Sequence, residues 1–220
     1  DLVSQFVNDP AAWAEWMTTA MLTGCLWDGT PVRGSAEIRI VPQEVVADVT
    51  GAGDVVQGVP NDGAFTGDYD LGWPVDWPWV GNHETPDHTI DNDATTKFLH
   101  FGGDVKPTGI QVIPSVGATI VTRLTLTTAN DGDKRDPTSF ELYGSNDGID
   151  GPYTLIASGP IVDFAQATPW PRQTKNATPI VFKNAVAYTS YQLLFPTIRT
   201  PATAKAMQIA EIELIGVIAR

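Results

Sequence analysis

From about Gly51 onward the chain reads as short segments in which apolar and polar residues alternate, each stopped by a cluster of Gly, Pro, Asn, Asp or Ser. A period of two suits a strand with one buried face and is incompatible with a helix. Ile110 and Val112 alternate before Pro114, and Ile120, Leu124 and Leu126 are expected on one face of a Thr-rich strand. Phe140 and Leu142 alternate with Glu141 and Tyr143 and run into the turn Ser145-Asn146-Asp147-Gly148. Tyr153 with Leu155, then Val181, then Tyr191, Leu193 and Phe195 continue the pattern. At least six strands without helical periodicity between them predict a mainly β chain, an antiparallel sandwich or jelly roll. No internal repeat is present.

The first fifty residues differ. Asn8 or Asp9 can cap a helix, Pro10 suits its first position, and Trp13, Trp16, Met17, Ala20 and Met21 recur at helical spacing before Gly24. This predicts an amphipathic helix over 9–20 ended by Gly24, its aromatic stripe packed on the chain or on a neighbouring subunit. A half-buried strand is expected from Glu37 to Val41. The expected organisation is a segment 1–50, with a helix and one strand, before a β-sandwich over 51–220. Residues 58–86 are rich in Gly, Pro, Asp and Trp without periodicity, as in an ordered loop.

Composition narrows the function. Thirteen Lys and Arg face 26 Asp and Glu, a formal charge of -13. That charge opposes binding to nucleic acid, which depends on cations neutralising phosphates. It also opposes anionic membrane faces. No apolar run approaches the ~20 residues of a membrane helix. The single cysteine, Cys25, excludes an internal disulfide and a multi-cysteine metal site. The chain opens at Asp1 with no charged-then-apolar leader, the expectation for a processed product or a piece of something longer.

Enzyme signatures are scarce. Gly144-Ser145-Asn146-Asp147-Gly148 has its Ser directly after Gly and lies between strands, so it is no nucleophile elbow. Gly51-Ala52-Gly53 lacks the third Gly and the following helix of a dinucleotide fingerprint. His83, His88 and His100 do not have the spacing of a helical zinc pair. No catalytic residues are assigned, and the expectation is a protein without enzymatic activity. Asp91-Asn92-Asp93-Ala94-Thr95-Thr96 is more informative, because it offers hard oxygen donors at alternate positions of a tight loop, the chemistry of Ca²⁺. It is not an EF-hand, since Thr96 and Gly102 stand where that loop needs Gly and Glu. Spacing alone leaves open whether Asp91 and Asp93 hold a cation or only turn the chain.

Three blocks, HTIDNDATTKFLHF, SFELYGSNDG followed by GPYTLI, and MQIAEIELIG near the end, resemble the discoidin or coagulation-factor type C family. That family's galactose-binding-like jelly roll is also used by carbohydrate-binding modules. The resemblance covers roughly Gly51 to Gly216, with the blocks in the family's order. It implies a structural calcium held by the His88 carbonyl, Asp91, Asp93, Thr96, the Ala210 carbonyl and Glu211. Around Glu211 the alternation slips, Met207 and Ile209 on one parity and Ile212 and Leu214 on the other, which predicts a bulge turning the carboxylate inward. Asn92 stands where the family commonly has Gly, and Asn tolerates positive φ.

The family's ligands, sugars or lipid headgroups, meet variable loops at one end of the sandwich, so local residues must indicate this chain's ligand. Trp73, Trp77 and Trp79, stiffened by prolines and followed by Asn82, His83 and Glu84, suit stacking on a sugar ring with amide and carboxylate hydrogen bonds to its hydroxyls. The same Trp residues could instead close the mouth of the sandwich as core. Arg135, in the polar loop Asn130–Asp136, and Trp170 with Arg172 are further candidates; a solvated turn and an edge loop are the plainer roles. The resulting expectation is a noncatalytic carbohydrate-binding or adhesion module of an extracellular or cell-surface protein. The alternative is a structural subunit that self-associates through the aromatic helix.

Overall fold

The computed structural model describes residues 19–26, 28–37, 45–60 and 84–219. Two compact units emerge, 1–45 and 46–220. In the first, β1 (Thr19–Cys25) and β2 (Pro31–Glu37) form an antiparallel hairpin pairing Thr19 with Glu37 and Cys25 with Pro31. Most of the expected helix lies outside the described residues, but Ala20 and Met21 are extended. Gly24 is therefore within a strand and terminates no helix. The strand expected at 37–41 lies outside the described residues beyond Glu37.

The second unit contains β3 (Ala47–Asp48), β4 (Val55–Val59), β5 (Phe98–Phe101), β6 (Thr108–Ile113), β7 (Thr119–Thr127), β8 (Ser139–Ser145) and β9 (Thr154–Pro160). It continues with β10 (Ile180–Val181), β11 (Ser190–Phe195), the one-turn helix α1 (Pro201–Ala204), β12 (Ala206–Ile209) and β13 (Glu211–Ile218). A five-stranded sheet, β4-β6-β11-β8-β9, and a four-stranded sheet, β10-β7-β13-β3, are accompanied by the pair β12-β5. All pairings are antiparallel. Ala47 and Asp48 pair with Gly216 and Ile215, so this unit begins before Gly51.

The core lies between the inward faces of these strands. Ile110, Val112, Leu142, Tyr191, Leu193 and Phe195 meet Val121, Leu124, Leu126, Ile212 and Leu214, with Phe98, Met207 and Ile209 joining from the small pair. Each such side chain contributes about 1.5–3 kcal/mol by leaving water. β7 departs from the expected pattern, because Val121 is buried while Ile120 is only half-buried. Arg123 pairs with Ile215 but Val121 with Gly216, so Thr122 is an extra residue that switches the inward parity. Leu155 also departs: it is exposed on the edge strand β9, where Ile156 makes the core contact instead.

The slip near Glu211 has a different origin from the expected bulge. β12 ends at Ile209 on β5, β13 starts at Glu211 on β7, and Ala210 carries the chain between the two sheets. β12 is buried along its whole length, and β13 alternates from Ile212 onward.

Candidate functional site

The loop 91–96 follows a 3-10 turn over Pro86–Thr89 and leads into β5. Asn92 has φ 62, the left-handed conformation that Asn accepts more readily than most residues. The Asp93 amide N–H points between two carboxylates, 2.9 Å from Asp91 Oδ1 and 2.9 Å from Glu211 Oε1. Thr96 Oγ1 donates toward Asp91 Oδ2 at 2.9 Å and the Asp93 carbonyl at 2.8 Å. Sequence-distant Asp91 and Glu211 are thus brought together. Glu211 is only 5% exposed. Its burial, reinforced by hydrogen bonding and charge repulsion from Asp91, pushes its carboxyl up to about 8.

Asp93 is turned differently. Its Oδ1 accepts from the Thr95 amide and hydroxyl at 2.9 and 2.6 Å, contacts that lower its pKa. Among the described residues no three His, Cys, Asp or Glu side chains converge as a metal cluster. A cation here would therefore use the Asp91 and Glu211 carboxylates with backbone carbonyl and Thr hydroxyl oxygens, a donor set suited to Ca²⁺. The buried acid beside a second carboxylate fits such an ion, whose charge would relieve the repulsion between them. His88 is half-buried in the preceding turn, its Nδ1 buried and without a hydrogen-bond partner among the described residues. The Ala210 amide donates to the Thr127 carbonyl at 3.0 Å, fastening the crossing to β7.

An open cleft of about 260 Å³ lies beside this loop, lined by Asn92, Ala94, Thr127, Gln173, Lys175, Glu211 and Glu213. Gln173 Nε2 donates to the Ala94 carbonyl at 3.1 Å, and Lys175 pairs with Glu213.

The stretch 170–173 also packs on the polar loop Asn130–Asp136. Arg172 makes a two-pronged pair with Asp136, and it donates to the Asp131 and Trp170 carbonyls at 3.1 and 3.0 Å. Asp136 is 1% exposed, and its burial raises its carboxyl despite the opposing effect of Arg172. Trp170 is half-buried against the core and donates its indole N–H to the Lys175 carbonyl at 3.1 Å. Arg135 is half-buried, while Arg199 Nε lies 3.5 Å from Asp133. Trp73, Trp77, Trp79, Asn82 and His83 lie outside the described residues.

Sequence reasoning passed over Lys97, and it placed Glu84 and Asp131 in candidate ligand loops without relating them to each other. Lys97 Nζ lies 2.7 Å from Asp131 Oδ1 and 3.2 Å from Glu84 Oε1. Burial raises the Asp131 carboxyl, but the Lys97 hydrogen bond and charge, with Arg135, bring it below its ordinary value. One signal was available, a lysine directly before the buried aromatic of a strand. Its partners could not be read, since they are 13 and 34 positions away.

No protein-family profile and no curated protein matches the sequence. Solved structures do match in three dimensions. The family 32 carbohydrate-binding module of Clostridium perfringens NanJ, solved with galactose, has a TM-score of 0.52 at 13% identity, over 78% of this chain and 99% of that one. The F5/8 type C domain of a Bacteroides fragilis protein has a TM-score of 0.53 at 11% identity, over 81% of this chain and 100% of that domain. CBM32-3 from a family 31 glycoside hydrolase of Clostridium perfringens has a TM-score of 0.50 at 13% identity, over 63% and 85%. The chain therefore has the β-sandwich fold shared by discoidin-like F5/8 type C domains and family 32 carbohydrate-binding modules.

Proposed function

We propose that residues 46–220 act as a noncatalytic carbohydrate-binding module of a secreted or surface protein, carrying a structural calcium. The observation that supports a ligand-binding end is the convergence of separate loops. Arg172 ties the stretch 170–173 to the Asn130–Asp136 loop, and Lys97 ties that loop to Glu84, which follows the Trp-rich segment 61–83. The Asn130–Asp136 loop is thus tied both to the 170–173 stretch and to Glu84, the residue that follows the Trp-rich segment in sequence. Carbohydrate is the chemistry such a set suits, with rings for stacking and carboxylates and amides for hydroxyl groups. The NanJ module's galactose complex supports the same class.

Calcium would be held by Asp91, Glu211, the Thr96 hydroxyl and carbonyl, and the carbonyls of His88 and Ala210, with Asp93 shaping the loop and facing Thr95. The ion would supply charge neutralisation and would join loop 91–96 to the start of β13. Among the described residues no helix is long and apolar enough to cross a membrane.

The test is retention on a glycan array and on insoluble polysaccharides in calcium buffer, with Trp77→Ala alongside. Retention of the wild-type chain, lost in the variant, is expected. Silence across a broad panel of galactose-, N-acetylgalactosamine- and glucan-bearing ligands overturns the reading.

A further inference from the structure

The side chain of Lys97 is 8% exposed, whereas Glu84 and Asp131, the carboxylates it meets, are 42% and 56% exposed. Its third neighbour is Gln208 Oε1 at 3.4 Å. These groups come from four stretches: the chain at Glu84, the residue before β5, the Asn130–Asp136 loop, and β12. Backbone and amide contacts repeat the connection. The Leu99 amide donates to the Glu84 carbonyl at 3.1 Å. Gln208 Nε2 donates to the Asp131 carbonyl and, at 3.3 Å, to that of Gly132.

A buried ammonium costs desolvation energy, and an apolar residue of similar volume commonly gives equal or greater stability at such a position. Stability is therefore a poor explanation for Lys97. What an apolar side chain cannot do is hold two half-exposed carboxylates, each on its own loop, within reach of a single charge. We propose that Lys97 is a positioning residue that couples the chain at Glu84 to the Asn130–Asp136 loop and so sets the geometry of the ligand-bearing end. The coupling stands on the contacts alone; its consequence for ligand rests on the carbohydrate reading.

Two readouts on the full chain in calcium buffer separate these claims. The first is amide hydrogen exchange. In Lys97→Met, the Leu99 amide, bound to the Glu84 carbonyl, and the Arg135 amide, bound to the Gly132 carbonyl, are both expected to exchange at least ~10-fold faster. The amides of β7, β8 and β11 should keep their protection, and Lys97→Arg should restore most of it at the two loops. Unchanged exchange at Leu99 and Arg135, or a uniform rise across the sandwich, overturns the proposal. Should Lys97→Met fail to fold, the half-exposed carboxylates serve instead. Exchange changes in Glu84→Gln and Asp131→Asn are non-additive in the double variant if Lys97 joins them, and additivity refutes the coupling. The second readout is affinity for a glycan that the wild type retains, expected to fall ~10-fold or more in Lys97→Met and to recover in Lys97→Arg. A wild type that binds no glycan defeats the carbohydrate reading, while the exchange result still decides the role of Lys97.

Discussion

Replacing Glu211 with Gln should change how stability depends on pH, because the native and unfolded chains hold its proton with different strength. The carboxyl titrates near its ordinary 4.5 when unfolded and at about 8 in the native sandwich, raised first by burial and then by Asp91. Between these values the native state binds the extra proton. The wild type is therefore favoured in acid, and this contribution is full below about 4.5 and lost as the pH rises through about 8. At about 1.36 kcal/mol per pH unit, the separation sets a ceiling near 5 kcal/mol. Water entering the adjoining open cleft screens the charge, and roughly 2 kcal/mol is the expected size. For a unit of this size that corresponds to a melting shift of about 4–8 °C. Asp48 and Asp136 are also raised by burial and add slopes of the same sign, so the difference between wild type and Glu211→Gln isolates the residue. The assay is thermal unfolding in chelator from pH 5 to 8.5, followed by circular dichroism. The wild type should lose stability relative to Glu211→Gln as pH rises. Calcium, which favours the charged carboxylate, should remove that loss in the wild type and leave the variant unaffected. Identical pH slopes in the two proteins would refute the burial argument, and an identical calcium response would refute the metal assignment.

Two further outcomes test the frame that holds the loops. Arg172→Met leaves the Asp136 carboxylate buried without its two-pronged partner and should cost about 3–5 kcal/mol in urea unfolding at pH 7. The penalty should shrink at pH 4.5, where Asp136 can take a proton, and a pH-independent penalty would show that the pair is not what matters. Gly109→Ala would place a methyl group 1.9 Å from the Leu193 carbonyl oxygen, where β6 lies against β11. A loss of about 3 kcal/mol is expected, and a melt within 1 °C of wild type would contradict the close approach.

The alternation of Ile110 with Val112, Phe140 with Leu142, and Tyr191 with Leu193 and Phe195 was enough to determine a β-sandwich, because period-two burial is a local property of the chain. The acidic loop with Asn92 at positive φ was legible for a similar reason, since its turn is made by neighbours two to five residues apart. Tertiary structure decided the rest. The extra residue at Thr122 moved Ile120 off the inward face, and Ala210 split one apparent bulge into two strands of different sheets. Both follow from which strand pairs with which, a relation between distant segments that no local period records. The meeting of Asp91 with Glu211, 120 positions apart, was suggested only by family resemblance, and the partners that Lys97 bridges by nothing in the sequence. An ionic contact leaves no periodic trace; it exists only once the sheets have stacked and burial has made an unpaired charge costly.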